Sequence, residues 1–372
     1  MQYKHILVTG GAGFIGSHLV DGLIAKGYSV RVMDNLYRQI HPSGKLPEYF
    51  NKRAEFVKGD VTRRRDWLRA LDGVDAVFHF ASAVGVGQSM YEVEHYVKVN
   101  SYGTAVFLDI LANTKHSVKK IIVAASMSSY GEGTYQCASC GLVRPPLRDE
   151  KKLLQHDFAV YCPGCGREVQ PVPTSEDAKQ NPNSIYAIGK KEQEEMVLTF
   201  GKSYGIPSVA LRFFNVYGPR QSLSNPYNGV AAIFMSRIKN DKPPLLNEDG
   251  QQTRDFIHVR DVVAANIIVL GHPGADYQVF NVGSGKPIPI KTVAEIVTRL
   301  YHSTVLPEIT SKVRKLDVRH CFADTAKLQL LGWKPLVDFK EGLKEVIEWS
   351  RNEEAVDNVE YAMKQLEKRG LR

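Results

Sequence analysis

The 372-residue chain, 43% apolar and 24% charged, has the make-up of a soluble globular protein, long enough for two domains or one large α/β domain with a smaller attachment. It has no run of about 18 apolar residues, and the opening MQYKHILVTG enters a strand instead of a secretory apolar region, so a cytoplasmic protein with no membrane partner is expected. A formal charge of +8 favours phosphate-bearing partners, but the basic residues are spread along the chain and make no nucleic-acid-binding tail.

Short apolar runs alternate with amphipathic ones through the first half. HILVTG, YSVRVMDN, AEFVKGD, VDAVFHFAS, KKIIVAAS and PSVALRFFNV read as strands with helical patterns between most of them, which predicts a doubly wound parallel α/β sheet. The first strand runs into TGGAGFIGSH, placing Gly10, Gly11, Gly13 and Gly16 in a turn and at the start of a helix. Glycine there lets the backbone turn tightly and approach a pyrophosphate, whose charge the helix N-terminus favours. The second strand ends in Asp34, eighteen residues after Gly16, where a carboxylate can accept both adenosine-ribose hydroxyls and repel a 2′-phosphate. These features predict a Rossmann dinucleotide-binding domain that takes NAD in preference to NADP. The cluster Arg63, Arg64 and Arg65 reads as the solvated start of a helix.

Of the five cysteines, Cys137, Cys140, Cys162 and Cys165 form two C-x-x-C pairs about twenty residues apart. Four thiolates at this spacing suit a closed tetrahedral zinc site with no open position for catalysis, in a reducing compartment; iron fits the same ligands. The pairs lie in a segment, 134–173, that reads as a zinc-ribbon-like insertion, whose long loop has little apolar material of its own and needs a cross-link. Beyond it, NSIYAIGKKEQE puts Tyr186 and Lys190 on one face of a helix, where an ammonium beside a phenol favours the phenolate and makes it a proton acceptor.

Taken together, VTGGAGFIGSH, Gly59-Asp60, HFASAVGVGQS, Asn100, AASMSSYG, YAIGK, LRFFNVYGPR, QTRDFIHVRDV, NVGSG and RKLDVRHCFAD resemble the extended short-chain dehydrogenase/reductases, in the nucleotide-sugar epimerase and dehydratase branch. The likeness spans nearly the whole chain except the cysteine segment. It implies Tyr186 as base, Lys190 as its activator and ribose anchor, and Ser126 as proton relay. It assigns Phe14, Ile15, Asn35, Asp60, Val61, Phe80, Ala81, Ser82, Asn100 and Phe213 to the cofactor site beside the glycines and Asp34. It assigns Val86, Gly87, Gln88 and Ser128 to the sugar pocket, Asn215, Arg254 and Arg314 to the diphosphate and Asp317 to the nucleoside ribose. Residues 1–215 are then the NAD-binding domain, interrupted by the insertion, and 216–372 mainly a substrate lobe with some elements returning to the first domain. A homodimer through residues 90–113 and 186–203 is expected, with Val97, Val106 and Val197 serving core or interface.

Family dehydratases carry an Asp-Glu pair where this chain has Met127 and Ser128, and the decarboxylases use a carboxylate there too. The remaining programme is C4 epimerisation: oxidise C4, turn the 4-keto sugar, return hydride to the other face. The resemblance points to dTDP-L-rhamnose 4-epimerases, with UDP-glucose or UDP-N-acetylglucosamine 4-epimerisation as alternative and dehydration or decarboxylation behind it. An NAD-sensing regulator that uses the ribbon for binding is the alternative of another class, disfavoured by the ribbon's mixed charge. Glu132 reads as a surface turn residue. Cys321 is expected either to open a roomy sugar pocket or to be a buried core thiol.

Overall fold

In the computed structural model, which describes residues 3–227 and 229–371, the apolar runs of the first half become strands β1 (His5–Thr9), β2 (Ser29–Asp34), β3 (Glu55–Lys58), β4 (Ala76–His79) and β5 (Lys120–Ser126). Three short strands follow: β6 (Thr134–Cys137), β7 (Gly141–Val143) and β8 (Gln170–Val172). The chain then returns to the sheet in β9 (Ser208–Phe213). Strands β4, β5 and β9 are buried at every position, which is why their sequences read as continuous apolar runs instead of alternating ones.

The second half contributes β10 (Asn215–Tyr217), β11 (Leu245–Leu246), β12 (Thr253–His258), β13 (Gln278–Val282), β14 (Pro287–Pro289), β15 (Glu308–Ile309) and β16 (His320–Cys321). Strand β13 joins the large sheet beside β9, giving seven parallel strands in the order β13-β9-β5-β4-β1-β2-β3. The order reverses between β1 and β4, so a crevice opens at their carboxyl ends, where such sheets bind ligands. The expected Rossmann α/β architecture is therefore present, with one strand more than the six apolar runs foretold.

Alternate residues of each strand feed two core layers. Ile6, Val8, Phe78 and Leu211 pack with the helices Phe14–Ala25 and Val259–Gly271, while Leu7, Val77, Val123 and Ala210 pack with Arg64–Leu71, Gly103–Asn113 and Ile185–Tyr204. The first helix pair is so close that a Cβ on Gly22 would lie 2.6 Å from Val263. A third core joins the helices Val230–Lys239, Ile290–Leu300 and Phe339–Ser350 to β12 in the smaller lobe.

The cysteine segment folds as a separate antiparallel sheet, β7-β6-β8, over a small core of Tyr135, Cys137, Val160, Cys162 and Val169. Its root docks on the chain near β16. Gly133 N donates to His320 O, Thr174 N donates to Phe322 O, and Thr174 bridges Ala323.

Candidate active site and metal centre

The glycine turn after β1 is built as the motif requires. Gly10 takes φ +69°, and a Cβ on Gly16 would lie 2.3 Å from Gly10 O, so neither position tolerates a side chain without backbone movement. The turn forms one wall of a cavity of about 690 Å³, lined by Gly10, Gly13, Phe14, Ile15 and Gly16 and, at its far end, by Asp34, Asn35, Asp60 and Val61. Asp34 is 9% exposed; its Oδ2 accepts Ala12 N at 3.1 Å and its Oδ1 accepts Leu36 N at 2.9 Å. Each oxygen keeps a second lone pair for a ligand hydroxyl. Burial raises the Asp34 pKa, against those amides and His41. Asp60 is also desolvated, but hydrogen bonds from Thr62 and Asn35 hold it below the ordinary carboxylate range.

Phe80, Ala81 and Ser82, at the end of β4, line the same cavity. The Thr9 hydroxyl accepts from Phe80 N and Ala81 N, both at 3.1 Å, and therefore donates to His79 Nδ1 at 2.9 Å. The other ring nitrogen faces Thr104 Oγ1 at 3.0 Å, which itself donates to Asn100 O. His79 is thus a neutral imidazole carrying its proton on Nε2, and burial, followed by the Lys190 charge, pushes its pKa down to about 3. The sequence reading passed over His79, since a histidine inside an apolar strand gives no local signal. Asn100 differs from expectation: it is fully buried, lies off the cavity lining and bonds Ser82 Oγ, Ala83 N and Ala83 O. It holds the cavity-lining Ser82 and Ala83 from behind.

Ser126, Tyr186 and Lys190 all line the same cavity. Ser126 ends β5 and caps the turn Met127–Tyr130, accepting Ser128 N at 3.2 Å and Ser128 Oγ at 2.9 Å. Ser184 caps the helix Ile185–Tyr204 by accepting Ala187 N, which sets Tyr186 in its first turn and Lys190 one turn on. Burial raises the Tyr186 phenol, and a hydrogen bond with Ser126 lowers it. Lys190 Nζ donates to Ala124 O at 2.9 Å, and burial pushes its ammonium down to about 7. The hydrogen bond with Ser126 thus works against burial and favours the phenolate.

Of the residues expected to meet the substrate, Val86, Ser128 and Asn215 line the cavity, as does Phe213, expected on the cofactor side, and the buried Asn215 Oδ1 has no partner among the described residues. The other expected substrate residues lie outside that lining. Gly87 packs against Leu366, and Gln88 bonds Gln39, Glu92 and Tyr96. Arg254 donates to Thr253 O and Arg319 O, and Arg314 pairs with Asp317 at 2.8 Å. Cys321, 1% exposed, packs with Tyr130, Ala178, Phe214 and Ala323, and burial pushes its thiol up to about 12; it is the core thiol of the two alternatives, not a pocket wall. Glu132 is corrected as well. It is buried, not a surface turn residue: its carboxylate accepts Arg319 N at 2.7 Å and Tyr135 Oη at 2.9 Å and faces Arg148.

The Sγ atoms of Cys137, Cys140, Cys162 and Cys165 all lie within 4.8 Å of one another. A tetrahedral Zn–S₄ centre with bonds of about 2.3 Å needs sulfur separations of about 3.8 Å, so the donor set fits with small adjustments. Backbone amides of Ser139 and Cys140 bond Cys137 Sγ and favour its thiolate, while the crowding of Cys162 and Cys165 against Cys140 pushes that thiol up, so the four sulfurs compete for protons that a bound metal would displace.

Comparison with known proteins yields one family and close relatives. Residues 6–149 and 159–283 match the profile of the NAD dependent epimerase/dehydratase family. A dTDP-L-rhamnose 4-epimerase of Burkholderia thailandensis is 35% identical over 356 residues, covering 94% of this chain and 96% of that protein. A UDP-glucose 4-epimerase of Thermotoga maritima, solved with UDP-glucose, superposes with a TM-score of 0.75 at 32% identity, covering 93% of this chain and 98% of the other. A Thermus thermophilus UDP-glucose 4-epimerase solved with NAD gives 0.73 at 28% identity, covering 94% and 99%.

Proposed function

The chain belongs to the NAD-dependent epimerase/dehydratase family and is an enzyme of the epimerase type, and from that premise we propose that it is a nucleotide-sugar 4-epimerase acting on dTDP-L-rhamnose. The observation that carries the reading is the meeting of Ser126, Tyr186 and Lys190 in one cavity with the glycine turn and Asp34, while Met127 and Ser128 stand where elimination chemistry needs acids. UDP-glucose is the second reading, favoured by the likeness to the Thermotoga enzyme.

Bound NAD supplies the acceptor for hydride from C4 and the donor that returns it. The chain's own groups do the rest. Tyr186 takes the C4 hydroxyl proton and gives it back, Ser126 holds the hydroxyl and the phenolate in one hydrogen-bonded line, and Lys190, one helical turn on, supplies an amine whose protonated form favours the phenolate. Gly10, Gly13 and Gly16 admit the pyrophosphate, and Asp34 takes the adenosine ribose. Asn215 offers its unpaired amide oxygen to the sugar nucleotide, and the Cys₄ ribbon holds one structural zinc. A homodimer forms through the helical faces that expose Val93, Val97, Tyr102 and Ile188, since Val106 and Val197 belong to the core.

The test is turnover of dTDP-L-rhamnose and UDP-glucose deuterated at C4, followed by NMR. One C4 epimer retaining deuterium is expected from wild type, because hydride leaves and returns within one closed site. Tyr186→Phe should lower turnover on the order of 10²- to 10⁴-fold while NAD stays bound. Loss of deuterium to solvent, or wild-type turnover in Tyr186→Phe, would overturn the mechanism.

A further inference from the structure

The segment that bears Arg314 and Asp317 is held on two sides. Asn183, one residue before the cap of the Tyr186 helix, donates to Leu316 O at 2.9 Å. Facing it from the other side is a stretch of the insertion, residues 148–158. Arg148 Nη2 donates to Asp317 O at 3.0 Å, Glu150 pairs with Lys315 at 2.9 Å, and the Phe158 ring lies 5.7 Å from the Arg319 guanidinium.

Arg148 is the centre of this grip. Its side chain is 4% exposed and forms a fork on Glu248, with both Nη–Oε distances 2.8 Å. Glu248 is shared with Arg319, which also binds both oxygens of Asp249 at 2.7 Å. Glu132, at the root of β6, closes the network by accepting Arg319 N and lying 3.7 Å from Arg148 Nε. Two guanidinium and three carboxylate groups from four separate parts of the chain thus converge where the insertion meets the 314–321 segment. A guanidinium forked on one carboxylate and donating to a carbonyl fixes both direction and distance, which a loop of this length lacks on its own.

We propose that Arg148 is a positioning residue: through the Glu248 fork and the Asp317 carbonyl, the cysteine insertion holds the segment of Arg314 and Asp317, the two residues that the family resemblance assigns to the nucleotide and that lie outside the cavity lining, in register with the Tyr186 helix, so that this non-catalytic ribbon sets nucleotide-sugar affinity. The proposal rests on the nucleotide-sugar reading given above. It gives the insertion a role in substrate binding besides stabilising itself, and NAD affinity serves as the control, because no member of the network touches the glycine turn or Asp34.

The experiment is steady-state kinetics with dTDP-L-rhamnose and UDP-glucose, together with calorimetric binding of the same sugars and of NAD, on wild type, Arg148→Lys and Arg148→Ala. Loss of a charge-assisted contact that orders a binding segment should raise KM and the sugar Kd of Arg148→Ala about tenfold or more, with kcat and NAD affinity within about twofold of wild type. Arg148→Lys, which keeps the charge but not the fork, should fall between. Should Arg148→Ala be insoluble because Glu248 is left buried and unpaired, Arg148→Met combined with Glu248→Gln removes that charge and should show the same split. Unchanged sugar affinity in these variants, or parallel loss of sugar and NAD binding, overturns the proposal. Wild type that binds neither sugar overturns the nucleotide-sugar reading itself, and the proposal with it.

Discussion

Lys190 carries an amine into a site where its visible partner is one backbone carbonyl, Ala124 O, and the consequence is a pH dependence of the whole fold. Burial lowers its pKa from 10.5 to about 7. Between those values the unfolded chain binds a proton that the folded chain does not, so stability rises with pH across that window; below about 7 the full penalty is present. The slope from this group approaches ~1.4 kcal/mol per pH unit. Tyr186 works in the opposite sense at the upper edge of the window: burial raises its phenol, so at about pH 10 the unfolded chain loses that proton first and stability falls, which is why the comparison stops at pH 9.5. Cofactor-free wild type should therefore gain urea resistance from pH 7.5 to 9.5, and Lys190→Met should lose that gain; parallel profiles for the two proteins would sink the assignment. Cys321 argues differently at the same scale. Its neighbours Tyr130, Phe214 and Ala323 leave it 1% exposed, so Cys321→Tyr should destabilise by overpacking, roughly 1–3 kcal/mol. Turnover of small and bulky sugars should then fall together, and a loss confined to bulky ones would restore the pocket reading.

Among the elements, the glycine turn has the sharpest sequence-to-function link. A Cβ on Gly16 would meet Gly10 O at 2.3 Å, and that oxygen is backbone of a turn that faces the cavity, so relief must move the cavity wall. Gly271, at the end of another helix, has nothing within 4 Å of a built Cβ. Gly16→Ala should therefore lose NAD binding, measured by calorimetry, while Gly271→Ala binds as wild type; equal affinity in both would separate the turn from the cofactor. The same elements show what was legible. Strands β1, β2, β3, β4, β5 and β9 announce themselves because apolar runs bounded by turns have few other fates. Strand β13 was missed: QVFNV starts on an exposed Gln278 and carries a polar Asn281, whose burial is repaid by bonds to Thr174 O and Asp324 O from distant segments. Glu132 was misjudged for the same reason. Between two glycines it looks like a turn, and its partner amide, Arg319 N, is 187 residues away. Tyr186 and Lys190 were legible because one helix spaces them, whereas the tertiary surroundings of Arg254 and Cys321 are set by strand pairing between β12 and β16.

On the scale of the whole molecule, three large cores contrast with the core of the insertion, which is too small to stand alone. The insertion core consists of five buried side chains, two of them Cys137 and Cys162, so half of the proposed metal ligands are also core residues. Its sheet of three short strands resembles the small scaffolds that need a cross-link or a metal. The β5–β9 sheet has no such need, since its strands are buried on both faces. A metal bound by four thiolates should then act locally: purified protein should contain about one zinc per chain, and removing it should free the insertion without melting the sheet. Hydrogen exchange on protein stripped with a strong chelator at neutral pH reads both halves of that statement. Amides of residues 134–172 should lose protection by at least tenfold, on the order of the ~1.4 kcal/mol that a tenfold change represents. Those of β4 and β5 should keep theirs. Cys140→Ser, altering an exposed ligand outside the small core, should reproduce the pattern without chelator, because a three-thiolate site holds zinc less firmly. Two results would count against the site: full zinc content after Cys140 and Cys165 are both replaced, or unchanged protection of 134–172 in demonstrably metal-free protein. In the second case Glu132, Thr174 and Arg148 alone would be enough to hold the insertion, and the four thiols would have no structural task.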